Sequence, residues 1–402
     1  MALADLFADV ADAIREKNGT AEPIVANDFP ARIRDIETGY QIDLSVDPPD
    51  GGTVSGGGRA SAGVNVTVTV AGDDVENGHA FSAWQENGVN VSKERAYSFS
   101  VENARSLTAI IKTYDLWFVK TSRNVVGNWK SVTYGGGKFV AVARGSNAAA
   151  YSTDGISWVS STLPSVQLWE SVTYGNGKFV AIASDSDIAA YSTDGITWKQ
   201  TTLPSSAKWC GVTYGDGKFV AVAHHTNSSA AYSTDGITWK QTTFPNIVYR
   251  ASVTYGGDKF VAIPARTKSA YYSTDGITWA RTSMSTQVSP AWSGVAHGNG
   301  KFMAVSSTGG IGAYSADGIT WTQKTIPGRL SMSGITYGGG KFVAIATSTD
   351  RAVCSEDCIT WEEIAMPSSG EWSSITYGDG KFVAVADEDT SAAYSKERTQ
   401  PV

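Results

Sequence analysis

The chain has 402 residues, of which 42% are apolar and 18% are charged, and its formal net charge is −7. This composition predicts a globular protein of two or three domains and excludes a disordered chain. The acidic balance argues against nucleic acid as a partner, because phosphates require a basic face. No apolar run has the length of a membrane helix, and the acidic N-terminus lacks the features of a signal peptide.

The first 39 residues carry a helical pattern. Apolar side chains recur at helical spacing at Leu3, Leu6, Phe7, Val10 and Ile14. The pattern predicts an amphipathic helix over residues 2–17 and a short second helix over residues 28–36, with Asp28 as its N-cap. So short a segment buries little surface alone, so its apolar stripe either docks on the next domain or joins copies of the chain. Of the possible oligomers, we expect a homotrimer.

The segment from Leu3 to Ile36 resembles a module of tail structural proteins from phages of Gram-positive bacteria. The shared form is L-x-D-L-F-x-D-(I/V)-A-D-A-I-R-x-K-x-G, followed by D-F-P-x-x-I-x-x-I. The resemblance implies that residues 1–39 attach the protein to other tail proteins.

Residues 40–113 are rich in Gly, Val, Ser and Thr and predict a small all-β domain of five or six strands. The order G-G-T-V-S-G, V-N-V-T-V-T, F-S-A-W-Q-E-N-G, Y-S-F-S-V and L-T-A-I-I resembles the divergent B-repeat domains of bacterial surface proteins. The resemblance implies a spacer, and the segment lacks the clustered His, Cys or paired carboxylates that would indicate a site.

Residues 114–402 contain seven consecutive copies of a unit of about 40 residues. The motif S-T-D-G-I-T-W or a close variant starts at Ser152, Ser192, Ser233, Ser273, Ser315 and Ser355, and a worn copy starts at Ser395. Each unit predicts four short strands joined by Gly-containing turns, and the second strand is apolar on both faces. The fold class is therefore mainly β, with a seven-bladed propeller. The last unit lacks its fourth strand, so we expect residues 115–122 to supply it and close the ring.

The motif S-x-D-G-x-T-W resembles a shortened Asp-box, the hairpin motif of sialidase-type propellers. The resemblance implies a structural role, in which the Ser and Asp side chains bond the turn and the Trp packs between blades. Histidine and cysteine are sparse, and Cys354 and Cys358 are too few for a metal site, so we expect no metal and no cofactor.

The loops after strands two and four differ between units, whereas the turns after strands one and three are nearly constant. Both constant turns must lie on one face, so the other face is the predicted recognition surface. Its candidate ligand-binding residues are Trp169, Trp209, His224, His225, Tyr249, Arg250, Arg266, Lys268, Trp292 and Arg351. The cations among them indicate an acidic ligand, and Trp can stack on sugars. The alternative for the Trp residues is packing between blades.

These features in linear order predict a phage tail receptor-binding protein, located in the virion tail, whose propeller recognises a host-surface glycan. The alternative is a glycan-cleaving, sialidase-like propeller. Glycosidases need two opposed carboxylates. The small inner-strand residues predict a channel wall without them: Ser131, Ser171, Gly211, Ser252, Gly294, Gly334 and Ser374. We therefore expect no catalytic residues and a protein that is not an enzyme.

Overall fold

The computed structural model describes Asp12 and residues 40–397, apart from residues 73, 75–77, 123–126, 225–228, 246–248, 286–288 and 388–390. Apart from Asp12, both predicted N-terminal helices lie outside the described residues. Contacts divide the chain into two compact units, Met1–Thr113 and Tyr114–Val402. In the described part of the chain, no helix is long and apolar enough to cross a membrane.

The N-terminal unit contains two packed sheets. Its strands are β1 (Tyr40–Asp47), β2 (Thr53–Ser55), β3 (Gly58–Ala60), β4 (Asn65–Ala71), β5 (His79–Glu86), β6 (Val89–Ser92), β7 (Ala96–Ser100) and β8 (Arg105–Thr113). One sheet has the order β3-β1-β8-β5-β6 and the other β2-β4-β7. Trp84, Val68 and Leu107 are fully buried between the sheets. The small β domain is confirmed, with eight strands where five or six were predicted, because the Gly-rich run around residue 56 forms two short strands and Val89–Ser92 forms another.

The second unit is a propeller whose described strands form seven four-stranded blades. The strands are β9 (Leu116–Ser122), β10 (Asn128–Gly135), β11 (Lys138–Ser152), β12 (Val159–Gly175), β13 (Lys178–Ser184), β14 (Ser186–Ser192), β15 (Lys199–Gly215), β16 (Lys218–His224), β17 (Ser229–Ser233), β18 (Lys240–Thr243), β19 (Ala251–Gly256), β20 (Lys259–Pro264), β21 (Ser269–Ser273), β22 (Ala280–Ser285), β23 (Trp292–Gly298), β24 (Lys301–Ser306), β25 (Ile311–Ser315), β26 (Trp321–Thr325), β27 (Met332–Gly338), β28 (Lys341–Ser355), β29 (Glu362–Gly378), β30 (Lys381–Ala386) and β31 (Ser391–Glu397). A short 3-10 helix, Pro327–Arg329, precedes β27. The blades are numbered in chain order, and their first, inner strands are β10, β12, β15, β19, β23, β27 and β29. Long strands such as β12 contain the fourth, outer strand of one blade and the inner strand of the next.

The blades stack because their central strands are apolar on both faces. In the second strand of the third blade, Phe219 through Ala223 are at most 1% exposed. Next to these strands, an aromatic ring of each blade lies on the Gly that ends the first strand of the preceding blade. A Cβ added to Gly215 would lie 1.9 Å from Cγ of Tyr255, so no other residue fits there without displacing the ring. The same contact joins the seventh blade to the first, because the ring of Tyr134 packs against Gly378, and the circle of blades is therefore complete.

The repeated turn is held by its own side chains, as the motif implied. In the second blade, Gly195 N donates to Ser192 Oγ at 2.9 Å, and Thr197 N donates to Asp194 Oδ1 at 2.8 Å. Burial alone would raise the pKa of Asp194, but the hydrogen bonds from Thr197, Ile196 and Ser192 lower it to about 2. The bond to the Asp side chain recurs in the first blade and in the third to sixth, so this face of the propeller repeats one turn in six of its seven blades.

Strand β9 closes the ring, as predicted. It pairs antiparallel with β31, the last described strand, from Ser391↔Ser122 to Glu397↔Leu116. The side chain of Thr121 donates a hydrogen bond to the carbonyl of Ile156 in the first blade. Thr201 and Thr242 bond the carbonyls of Ile237 and Ile277 in the same way. The joint between the last and first blades therefore repeats the contact that joins internal blades.

Candidate functional site

The inner strands contain a β-bulge that places one residue outside the ladder. The register shifts between Trp129 and Ser131, and again at the equivalent point of each inner strand except β19. The bulge residues are Lys130, Glu170, Cys210, Ser293, Ser333 and Ser373. Of these, Lys130, Ser293, Ser333 and Ser373 line the central depression described below. Bulges commonly re-aim a side chain towards a site, and here they bring charge to the propeller axis.

The Trp residues beside these bulges pack between blades. Trp169 and Trp209 have no exposed surface, and their indole N–H groups donate to Ser165 O and Ser205 O, each at 3.2 Å. These two residues therefore offer no face to a ligand, and their proposed place in the binding surface is wrong. Trp292 lines the depression, but only 3% of it is exposed.

The small inner-strand residues join blades to one another. Ser131 Oγ accepts a hydrogen bond from Val172 N at 3.1 Å, and Ser374 Oγ accepts one from Val132 N at 3.2 Å. The expectation that they leave the channel without carboxylates is wrong, because the neighbouring bulge and loop positions supply Glu170, Glu371 and Asp387. The sequence signal was present in W-K-S, W-E-S and W-C-G, where the middle residue varies between units.

A depression of about 860 Å³ opens at the axis on the variable face. Its lining comes from six of the seven blades and combines charged groups with hydroxyl groups. The polar and aromatic lining residues are Lys130, His224, Tyr249, Arg250, Arg266, Trp292, Ser293, Ser307, Ser331, Ser333, Thr347, Glu371, Trp372, Ser373 and Asp387. Concave sites of this size with several convergent polar groups are the usual places for small ligands.

Each blade has one equivalent pair of residues on the variable face, which we call the mouth pairs. The mouth pairs of the fourth to seventh blades, together with His224 of the third, line the depression. Each pair joins the residue that precedes the inner strand's Trp position to the residue after the second strand's apolar run. The pairs are Asn128 with Arg144, Leu168 with Ser184, Lys208 with His224, Arg250 with Ala265, Ala291 with Ser307, Ser331 with Thr347, and Glu371 with Asp387. The charge therefore changes sign around the rim, from basic at the fourth blade to acidic at the seventh.

Glu170 is the most buried ionic group at the axis. Its side chain is only 7% exposed, and its carboxylate lies 3.1 Å from Arg250 Nη2 and 3.3 Å from Arg144 Nε. The Arg144 contact lacks hydrogen-bond geometry, since Oε2 of Glu170 has no hydrogen-bond partner. A buried carboxylate is stable only when paired, and Glu170 forms an ion pair with each of the two guanidinium groups. Burial, together with the nearby Arg250, lowers the pKa of Lys130, whereas Glu170 and Asp387 oppose this shift.

The structure brings five predicted site residues together at the depression: His224, Tyr249, Arg250, Arg266 and Trp292. Lys268 is exposed but does not line it. Arg351 lies elsewhere, 15% exposed, at 4.0 Å from Glu363 and 3.9 Å from Asp350. His225 lies outside the described residues. The expected basic bias is therefore corrected, because Arg351 is paired with carboxylates and Glu371 and Asp387 add negative charge to the rim.

The cysteines of the structure are free thiols. Burial raises the pKa of Cys210 to about 11 and that of Cys354 and Cys358 to about 12, so none of them is a ready nucleophile. Among the residues the structure describes, no group of three or more His, Cys, Asp or Glu side chains is arranged to hold a metal ion.

Comparison with known proteins identifies one family and several similar folds. Residues 42–112 match the family described as the divergent InlB B-repeat domain. Among solved structures, a streptogramin B lyase has a TM-score of 0.64 at 14% identity, covering 70% of this chain and 98% of the lyase. Virginiamycin B lyase from Staphylococcus aureus has a TM-score of 0.62 at 15% identity, covering 70% and 99%. A structure of YCF48 bound to D1 peptide has a TM-score of 0.56 at 14% identity, covering 70% and 95%. No curated protein sequence matches the chain.

Two of these similar structures are lyases, and they overturn the prediction that the chain is not an enzyme. That prediction excluded catalysis because the inner strands carry small side chains. The lyases show that a propeller of this kind supports catalysis, and the bulges show that this channel does hold ionisable groups. At such low identity the likeness demonstrates the fold alone and transfers no reaction.

Proposed function

We propose that this chain is a receptor-binding protein of a phage tail or phage-like particle, whose central depression binds a glycan on the host surface. The observation that carries the proposal is the depression itself. It lies where the loops differ between units, while the opposite face repeats one turn from blade to blade. A surface specialised on one face only is typical of recognition by a repeat scaffold.

The segments that precede the propeller in the chain are proposed to deliver it to its ligand. The tail-protein pattern between Leu3 and Ile36 supports attachment through residues 1–39, and a homotrimer is the proposed assembly. The B-repeat match over residues 42–112 supports a spacer between the attachment segment and the propeller. Virion tail is the proposed location.

The lining of the depression suits a carbohydrate. Ser293, Ser307 and Ser333 offer hydroxyl groups, and Tyr249 offers an aromatic ring that is 43% exposed. Sugars present alternating hydroxyl groups and apolar ring faces, and such a wall complements both. The glycan therefore binds through hydroxyl contacts and one aromatic contact, with the charged mouth pairs selecting among glycans.

A second candidate is an enzyme that acts on a glycan in the same depression. The observation that favours it is that His224, Lys130, Glu371 and Asp387 line the same depression, since acid–base catalysis needs ionisable groups around a common cavity. The similar lyases make this candidate compatible with the fold.

The test is binding of the full chain, residues 1–402, to a panel of bacterial cells and purified cell-wall glycans, with released products measured in the same samples. Ser307 is exposed and lines the depression, so the indole of Ser307→Trp obstructs part of it. We expect this variant to lose saturable binding, by about tenfold or more in affinity. Ser160 is exposed on an outer strand, and Ser160→Trp is the matched control.

Each outcome of this assay decides between specific alternatives. Saturable binding without product, lost in Ser307→Trp and kept in Ser160→Trp, supports recognition. Product that disappears with Ser307→Trp supports the enzyme. Binding that is equal in both variants contradicts a role for the depression.

A further inference from the structure

The charged residues at the two ends of the depression carry opposite signs and lie far apart. Arg250 and Arg266 belong to the fourth blade, and Glu371 and Asp387 to the seventh. The fourth and seventh blades are three positions apart, which is the largest separation that a ring of seven allows. The walls between them, at the fifth and sixth blades, carry Ser307, Ser331 and Thr347, which are neutral. Lys130 of the first blade, next to the seventh, also lines the depression and is attracted to Asp387, so Glu371 is the carboxylate that gives the seventh-blade end its negative charge. The depression is therefore bipolar.

On the basic side, backbone hydrogen bonds fix the loop that contains Arg266. Ala265 N donates to Arg250 O, and Arg266 N donates to Pro290 O, both at 2.7 Å. Arg266 has a φ of 57°, a conformation that costs a residue with a side chain free energy and is concentrated at functional sites. Glu170 holds the Arg250 guanidinium at 3.1 Å, while 56% of the Arg250 side chain remains exposed. Glu170 is thus a positioning residue for a cation that faces the depression.

On the acidic side, the corresponding backbone contact is Asp387 N donating to Glu371 O at 2.8 Å. The Glu371 carboxylate accepts a hydrogen bond from the Ser348 hydroxyl, which orients it without neutralising it. Neither Arg266 nor Glu371 forms an ion pair with another described residue. Among the residues that the structure describes, each end of the depression thus has one charge without an ion-pair partner.

We infer that the depression binds a zwitterionic glycan, with an anionic group at Arg250 and Arg266 and a free amine at Glu371. This inference rests on the proposed function and names the substrate class of the same site. A purely acidic ligand would meet repulsion from Glu371 and Asp387, and a purely basic one would meet it from Arg250 and Arg266. A ligand that carries both charges balances both ends, and the unpaired charges act against ligands of a single sign.

Three oligosaccharides of the same length test the charge requirement on the full chain. The first alternates glucuronic acid with glucosamine whose amines are free, so it carries both charges at several separations. The second is the same tetrasaccharide with every amine acetylated, which leaves only the carboxylates. The third is a glucosamine tetrasaccharide, which has only amines. Affinities are measured by calorimetry at neutral pH and low salt, where exposed charges are least screened.

We expect the zwitterionic tetrasaccharide to bind about fivefold or more tightly than either of the others. Glu371→Gln should abolish the preference for free over acetylated amines. Arg266→Gln should abolish the preference for the uronic acid oligosaccharide over the glucosamine one. The controls are Lys268→Gln, in the same loop but outside the depression, and Glu362→Gln, an exposed glutamate of the sixth blade.

Equal affinity for the acetylated and the free-amine tetrasaccharides would overturn the inference, as would preferences that survive both variants. Failure of all three to bind would overturn it as well. The proposed function is judged separately by the cell-binding assay with Ser307→Trp. If cells still bind through the depression while the charge preferences are absent, the recognition role stands and only the zwitterionic ligand is rejected.

Discussion

A single glycine in each unit decides how closely two blades approach. The glycine that ends the first strand lies directly under an aromatic ring of the next blade, as Gly298 does under Tyr337. At one joint the ring is a histidine: a Cβ on Gly256 would lie 2.0 Å from Cγ of His297. His297 also packs against Phe302, with 4.5 Å between the ring centroids. The histidine therefore fills the position of a packing tyrosine, and burial lowers its pKa from 6.5.

The half-buried histidine predicts a pH dependence of stability. Because its pKa is lower in the folded protein, the unfolded chain binds the proton more strongly, and protonation favours unfolding. The contribution of His297 is thus complete above pH 6.5 and is lost as the pH falls below 6.5 towards the folded-state pKa. We expect His297→Tyr to remove this part of the decline, measured as the free energy of unfolding in urea at a series of pH values.

The turn aspartates provide an internal reference for that experiment. Hydrogen bonds hold the pKa of Asp235 at about 2 despite burial, against 3.8 when unperturbed, so its stabilisation is lost only between those two values as the pH falls. The stabilities of wild type and His297→Tyr should therefore diverge as the pH falls below 6.5, whereas the decline due to Asp235 between 3.8 and about 2 is common to both proteins. Parallel curves over the whole range would contradict the assignment.

At the scale of one hairpin, the sixth blade departs from the repeat and its neighbour compensates. Five turns carry Gly where the sixth carries Cys358, whose φ is 66°. In the other blades a Cβ at this position would meet a valine of the preceding blade, as at Gly195, 2.8 Å from Val140 Cγ2. The preceding blade here has Met303, which packs in one cluster with Cys358. Gly312 stands where other units have Ala, and its Cβ would lie 2.5 Å from Met303 Cε.

These three substitutions should therefore be energetically coupled. Met303→Val alone brings a branched side chain against Cys358 and should cost about 1–3 kcal/mol. Cys358→Gly relieves the backbone conformation but leaves a void, so its net effect should be small. The double variant should recover most of the loss, which gives a coupling energy of about 0.5–3 kcal/mol in a double-mutant cycle from urea unfolding. Additive effects would show that Met303 and Cys358 differ from the repeat independently.

At the scale of single strands and turns, the blades could be predicted from the sequence, but only part of the candidate site could be. The blades could be predicted from the turn glycines, the Trp spacing and the apolar second strands, because local geometry or burial requires each of these features in every unit. Lys130 and Glu170 were missed as site residues because a bulge changes which side chain faces the axis, and the alternation of a strand does not reveal it. Arg250 and Arg266 were found because they interrupt the repeat. Trp169 and Trp209 were wrongly predicted to bind ligand, because residue type does not distinguish a Trp that packs between blades from a Trp that contacts a ligand.

At the scale of the molecule, the circle depends on one non-covalent joint. Every outer strand except β9 directly follows the third strand of its own blade in the chain. Strand β9 lies about 270 residues before its partner β31, and the two pair over seven residues. Pairing of distant segments has a large entropic cost of closure, so this joint is the point at which the ring can open. Its strength therefore limits the stability of all seven blades.

Two matched proline pairs measure this joint. Lys120 and Thr121 of β9 pair with Ala393 and Ala392, and Gln241 and Thr242 of β18 pair with Ala231 and Ala230 in the third blade. Both threonines also bond a turn carbonyl of the next blade. Two successive prolines remove at least one ladder hydrogen bond in either strand, at a cost of about 1–3 kcal/mol. The local losses are thus equal, and only the β9 variant also opens the ring.

We expect Lys120→Pro with Thr121→Pro to lower the urea midpoint further than Gln241→Pro with Thr242→Pro. The β9 variant should also expose residues 116–122 to limited proteolysis, because nothing else in the ladder retains that strand. The third-blade variant keeps its neighbours on both sides and should unfold in one transition. Equal urea midpoints would show that pairing of β9 with β31 contributes no more stability than any other outer strand does. In that case the contacts between the glycines and the aromatic rings hold the circle closed without this pairing.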